Sequence, residues 1–269
     1  MKKRRGFLFL VGVLLAVTCW CHGVLQVSRW EVAVDGLPEV FAGTRILLLT
    51  DLHGRTFGKQ NVRLLRAAEQ CAPDLIAIVG DLADANTELA SLEPLIRGLC
   101  RMAPVYYVTG NHEWDGVDTQ RLLEQLSQWG AVVLQNEAVV LTRGEQQLLL
   151  VGAEDPNGPA DMERPTELIT RIRQEYGMQA PLVVLYHRND ALAQWADLGV
   201  DVVLSGHGHG GVIRLPLIGG LLGTDRTPLP KYTEGLYRLG DTTMAVSRGL
   251  GGVRLWNRPH LPLVILQKR

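Results

Sequence analysis

The chain has 269 residues, of which 46% are hydrophobic and 20% charged, enough for one large core or two small ones. A formal net charge of −1 gives no electrostatic basis for binding nucleic acid or an acidic polymer. The four cysteines form no C-x-x-C pair, which excludes a cysteine-ligated structural zinc.

Met1 to Arg5 is basic, and Phe7 to Leu25 is almost wholly apolar. As a helix, that apolar stretch spans about 28 Å, close to a bilayer core. Residues 1–25 therefore read as a retained signal anchor in a bacterial cytoplasmic membrane, with the catalytic domain extracytoplasmic. A cleaved signal peptide is the competing reading. Arg4-Arg5-Gly6-Phe7-Leu8 also resembles a twin-arginine export signal. Residues 26–43 read as a connector with an extended stretch at Trp30–Val34, leading into one domain over 44–269.

That domain is punctuated by five apolar runs of one design. Ile46–Thr50 leads into Asp51-Leu52-His53. Leu75–Val79 leads into Gly80-Asp81. Val105–Thr109 leads into Gly110-Asn111-His112-Glu113. Leu182–Tyr186 leads into His187, and Val202–Ser205 into Gly206-His207-Gly208-His209. Each run predicts a buried parallel strand that delivers polar side chains at its C-terminal end. Asp51, Asp81 and Asn111 follow one another at intervals of thirty residues, the length of a strand-helix-strand unit.

Between the runs, helices are predicted over Gln60–Gln70, from Asn86 to about Arg101, over Thr119–Trp129 and over 163–177. Strands at Val132–Leu134, Ala138–Leu141 and Leu148–Val151 are expected to lie antiparallel. Ile213 to Tyr232, with three prolines and three glycines, reads as a loop region near the site. Within it, Leu217–Leu222 reads as a packed segment or a lipid-facing edge. Leu236–Arg238, Thr243–Ser247 and Pro262–Leu266 close the chain as strands. Cys71 and Cys100 read as small buried residues, and His260 as a surface position.

Aspartate, asparagine and histidine together make a mixed oxygen and nitrogen ligand set. Such a set suits Mn, Fe, Zn or Co better than Ca or Mg. Seven ligands exceed the needs of one ion, whereas two ions sharing the Asp81 carboxylate would use them all. A lone Asp-x-His is an ordinary turn; all five groups in order, each after an apolar strand, are not.

These five groups resemble, in order and spacing, the motifs of calcineurin-like metallophosphoesterases. Tyr232-Thr233-Glu234-Gly235-Leu236-Tyr237, Val246-Ser247-Arg248-Gly249-Leu250-Gly251 and Asn257-Arg258-Pro259 further resemble a bacterial branch of membrane-associated or exported phosphodiesterases. That branch is similar to an enzyme that splits UDP-2,3-diacylglucosamine. The resemblance implies an α/β fold, a two-sheet β-sandwich flanked by helices in four αββα layers.

It also implies roles. Asp51, His53 and His209 would hold one transition-metal ion and Asn111, His187 and His207 the other, with Asp81 bridging and His112 as catalytic proton donor. Arg55, Arg188 and Trp114 are candidate substrate-binding residues, and Asp84 and Glu113 candidate supports behind the ligands. The implied cofactors are two divalent or trivalent ions (Mn, Fe or Zn).

The expected activity is cleavage of a phosphodiester or pyrophosphate bond in a membrane-lipid-related substrate by a monomer. The alternatives are a phosphomonoesterase or protein phosphatase on the same metals and, more remotely, a non-catalytic metal-binding scaffold. The sequence departs from the family pattern at Gly208, where threonine is frequent, and at Arg188-Asn189-Asp190, where a small residue or asparagine and then proline are commoner.

Overall fold

The computed structural model describes residues 23–177, 179–215 and 218–269. Most of the apolar segment read as an anchor, and the twin-arginine motif, lie outside the described residues. Among the described residues no helix is long and apolar enough to cross a membrane.

Two six-stranded sheets face each other. The first runs β1 (Gln26–Val34), β14 (His260–Lys268), β2 (Arg45–Leu49), β3 (Leu75–Val79), β4 (Val105–Val108) and β5 (Val132–Val133). The second runs β12 (Gly235–Leu239), β13 (Thr242–Val246), β9 (Val202–Ser205), β8 (Leu182–Tyr186), β7 (Gln146–Ala153) and β6 (Glu137–Arg143). The centre of each sheet is parallel: β2 to β5 in one, and β7, β8, β9 and β13 in the other.

Alternation along each strand sets the layers. Ile46 and Leu48 of β2 and Leu75, Ala77 and Val79 of β3 pack against Leu148, Leu150, Val183 and Leu204 of the opposite sheet. Leu47, Leu49, Ile76 and Ile78 point the other way, onto α1 (Val62–Cys71), α2 (Glu93–Cys100) and α3 (Thr119–Gln128). Beyond the second sheet, Val151, Val184 and Val203 meet α4 (Pro165–Tyr176) and α5 (Leu192–Asp197). The αββα order predicted from sequence is the order found.

Several local expectations change. The extended stretch expected at Trp30–Val34 is longer, Gln26–Val34, and forms the edge strand β1, paired in parallel along its whole length with β14. The helix expected from Asn86 begins as a 3₁₀ turn at Leu89–Leu92, and α2 starts only at Glu93 with Pro94 in its first turn, where proline fits. β5 pairs in parallel with β4, while β6 and β7 are antiparallel in the other sheet. Ile213 to Tyr232 contains a short hairpin, β10 (Ile213–Leu215) with β11 (Gly219–Leu222). Cys71 is buried and Cys100 half-buried. His260 is fully buried, its ring edge-on to Trp30 at 5.3 Å, because it opens β14, which lies between β1 and β2.

Candidate metal centre

Every ligand candidate sits just past the C-terminal end of a parallel strand: Asp51 and His53 after β2, Asp81 after β3, Asn111 after β4, His187 after β8, His207 and His209 after β9. The two sheets are tied together there. His187 Nδ1 lies 3.0 Å from the Val79 carbonyl across the sandwich. The Asp51 carboxylate accepts the His207 amide at 2.9 Å.

The side chains converge. Asp51, His53, Asp81 and His209 form one group, and Asp81, His187 and His207 another; within each group the ligand atoms lie within 4.8 Å of one another. Asp81 belongs to both. Its Oδ2 is 3.7 Å from His53 Nε2 on one side and 3.2 Å from His187 Nε2 on the other. Asn111 joins Asp81, His112, His207 and His209 in lining the cleft above them.

The local backbone is shaped for this. Asp51, His53, Asp81, His207 and His209 all have positive φ, between 48° and 64°. For non-glycine residues that conformation costs on the order of 1 kcal/mol each, and it clusters where function requires it. Two glycines leave room: a Cβ on Gly80 would lie 2.4 Å from His187 Nδ1, and one on Gly110 2.4 Å from Asp81 Oδ1.

The donor set fits two cations. Asp51 Oδ2, Asn111 Oδ1 and His187 Nε2 are buried without a hydrogen-bond partner. Leaving such atoms unpaired costs about 1–3 kcal/mol each. The His187 Nδ1–H donates to Val79, so Nε2 faces inward, the usual arrangement behind a metal-binding imidazole. Electrostatics agree. Burial opposes ionisation of Asp51, but His209, His187 and His53 hold its carboxyl well below the usual range. Burial also opposes ionisation of Asp81, yet His187 brings it to about 2. Burial would lower the His187 pKa, but Asp81 and Asp51 push it up to about 10. Burial, with His187 beside it, lowers His207 to about 4. Two ionised buried carboxylates make a seat for positive charge, which a protonated His187 answers and a bound cation would answer in its place.

The remaining candidates have distinct placements. His112 is partly exposed on the rim of the cleft, its Nδ1 3.0 Å from Asp84 Oδ1. The same oxygen lies 2.6 Å from His53 Nδ1, so Asp84 orients a ligand and the rim histidine together. Glu113 is fully buried and accepts the backbone amides of Asp81, Ala83 and Gly110. Trp114 donates to Thr109 Oγ1 and lines a separate groove with Thr119 and Leu123. Arg55 donates to the Leu250 carbonyl and lies over the Phe57 ring. Arg188 is committed to Asp155, with Nε and Nη2 each 2.9 Å from its carboxylate.

Sequence reasoning missed Asp155, which is wholly buried yet lies in a loop of polar and turn-forming residues. It also missed Thr224 and Asp225, which reach the cleft from the segment after β11. Asn257, quoted above only as part of a resemblance, donates to the carbonyls of His209 and Gly211 and steadies that loop.

Two packed sheets with six further oxygen and nitrogen donors around one shared carboxylate define a dinuclear metal hydrolase. The chain belongs to the calcineurin-like phosphoesterase family, whose description matches residues 44–211. It is therefore a metal-dependent phosphoester hydrolase.

The chain is 30% identical to phosphodiesterase YaeI of Escherichia coli (strain K12), over 99% of this chain and all of that one. It is 29% identical to a transmembrane protein with metallophosphoesterase domain of Danio rerio, over 88% of this chain but only 56% of that longer relative. The solved structure of TT1561 of Thermus thermophilus shares the fold, with a TM-score of 0.50 and 14% identity over 76% of this chain and 88% of that one.

Proposed function

We propose that the protein is a binuclear phosphodiesterase that cleaves a phosphodiester or pyrophosphate bond in a membrane-lipid-related substrate. The observation that carries this reading is the membership of Asp81 in both ligand groups, beneath a cleft that His112 also lines. Support for a diester comes from the full-length similarity to a protein named as a phosphodiesterase. Support for a lipid-related substrate comes from the apolar segment at Phe7–Leu25 and from Ile218 and Leu229, 64% and 67% exposed on the hairpin and the segment beside the cleft. The same reading places the domain outside the cytoplasmic membrane as an anchored monomer, with Mn, Fe or Zn as the native ions.

Asp51, His53 and His209 would hold one ion, Asn111, His187 and His207 the other, with Asp81 shared between them. Bound ions of this kind bring the pKa of water from about 16 towards about 7 and neutralise phosphoryl oxygens. The protein supplies the rest. Asp84 fixes His112 through Nδ1, leaving Nε2 as the group that protonates the departing alkoxide. A donor so placed is worth ~10²–10⁴ in rate.

The test compares turnover of bis-p-nitrophenyl phosphate and p-nitrophenyl phosphate by Mn-loaded protein, with and without His112→Ala. The diester is expected to be preferred. For a substrate with a true alkoxide leaving group, such as a methyl phosphodiester, His112→Ala is expected to cost at least a hundredfold with metal retained. Preference for the monoester would favour a phosphomonoesterase on the same ions. Absence of any turnover with both ions bound would favour a scaffold.

A further inference from the structure

The two departures from the family pattern, Gly208 and Arg188-Asn189-Asp190, are separate in sequence but meet in the fold. A Cβ at residue 208 would lie 2.5 Å from the Asn189 amide nitrogen. That nitrogen donates to the Tyr232 carbonyl, also at 2.5 Å, and so holds the segment after β11 against the loop after β8. Threonine at 208 would push the amide away, so the glycine and the asparagine belong to one design.

Between the two segments lies a cleft of about 360 Å³, lined by Arg188, Asn189, Asp190, Lys231 and Tyr232 among others. His207, Thr224 and Asp225 line both this cleft and the one above the ligands, so the two spaces are continuous. A diester held over Asp81 would send one of its two arms into the second space.

The chemistry of the walls limits that arm. The Arg188 guanidinium is clamped on two edges, by Asp155 through Nε and Nη2 and by Asn157 through Nη2. Its Nη1 carries no hydrogen bond among the described residues and is a fixed donor. Asp155 balances the charge of Arg188, which leaves Lys231 against Asp190 and Asp225. A space with that balance does not favour a second phosphate. An acyl chain would cover donors and acceptors without pairing them. A neutral hydroxyl both donates and accepts, and so can answer Arg188, Lys231 and Asp190 alike.

Resting on the phosphodiesterase reading, we propose that this cleft is the specificity subsite, and that it takes an uncharged, hydroxyl-rich arm of the diester, of the glycerol or sugar class.

The experiment uses full-length Mn-loaded protein and two diesters with the same leaving group and charge, p-nitrophenyl glycerol phosphate and p-nitrophenyl propyl phosphate. The glycerol diester is expected to have at least tenfold higher kcat/KM. In the double variant Asp190→Ala/Lys231→Ala, both side chains of which lie on the rim, that ratio is expected to fall below about threefold, mainly through KM. The ratio is taken within each protein, so any loss of folded material cancels. Equal turnover of the two diesters by the parent, or an unchanged ratio in the variant, overturns the subsite. Turnover of neither diester by metal-loaded parent instead defeats the phosphodiesterase reading beneath it.

Discussion

The Glu113 carboxylate accepts a hydrogen bond from the Asp81 backbone amide at 2.8 Å, directly behind the residue shared by both ligand groups. The same carboxylate gathers the amides of Gly110 and Ala83, so one buried side chain fixes the loops after β3 and β4 relative to each other. Burial and the neighbouring Asp81 push its pKa up to about 7, against the pull of the Gly110 and Ala83 amides and of His187 towards the ionised form. Glu113→Gln keeps the shape but turns an amide NH₂ towards backbone donors. Hydrogen bonds to charged groups are worth about 1.5–3 kcal/mol, so a loss of about 2–3 kcal/mol is expected. Calorimetric melting of chelator-treated protein should show a Tm lower by roughly 4–12 °C. A shift under one degree would remove Glu113 from this role.

Asp84 tests orientation rather than stability. Its Oδ1 meets both His53 Nδ1 and His112 Nδ1, so it sets the tautomer of one ligand and of the rim histidine. Loss of such a partner usually costs 10–100-fold in metal affinity, and Asp84→Asn is expected to weaken the ion held by Asp51, His53 and His209 by about that factor. Mn titration should show one of two sites weakened and the other intact. Two unaltered sites would contradict the assignment.

Away from the centre, Glu154 gives a pH dependence of stability. Burial, with Glu137 nearby, raises its pKa from 4.5 to about 7 despite a hydrogen bond from Gln135. Between those values the folded chain binds more proton than the unfolded chain, so this group lowers stability as pH rises from 4.5 to about 7. Above that window the penalty is complete; below it, absent. Glu154→Gln should therefore melt higher than the parent at pH 8 and alike at pH 4. Equal melting temperatures at pH 8 would place the carboxylate in water.

The convergence of the ligand candidates was legible because buried parallel strands read as unbroken apolar runs, and all seven candidates follow one. What escaped depends on partners remote in sequence. β1 alternates half-buried and exposed residues before its last turns inward, so its pairing with β14 more than two hundred residues later leaves no run. β5 has only two residues, too few to carry a period. His260 sits beside Arg258 and Pro259, which signal surface, yet β14 carries it into the core. Arg188 read as a free charge for substrate, but two of its three nitrogens belong to Asp155, thirty-three residues earlier.

The central claim is that one carboxylate serves two cations. It is tested most directly by elemental analysis of anaerobically purified protein beside Asp81→Ala. The account requires two transition-metal equivalents per parent chain and fewer than one in the variant, since removing Asp81 weakens both sites together. A parent that never exceeds one equivalent, or a variant that keeps both, would contradict it.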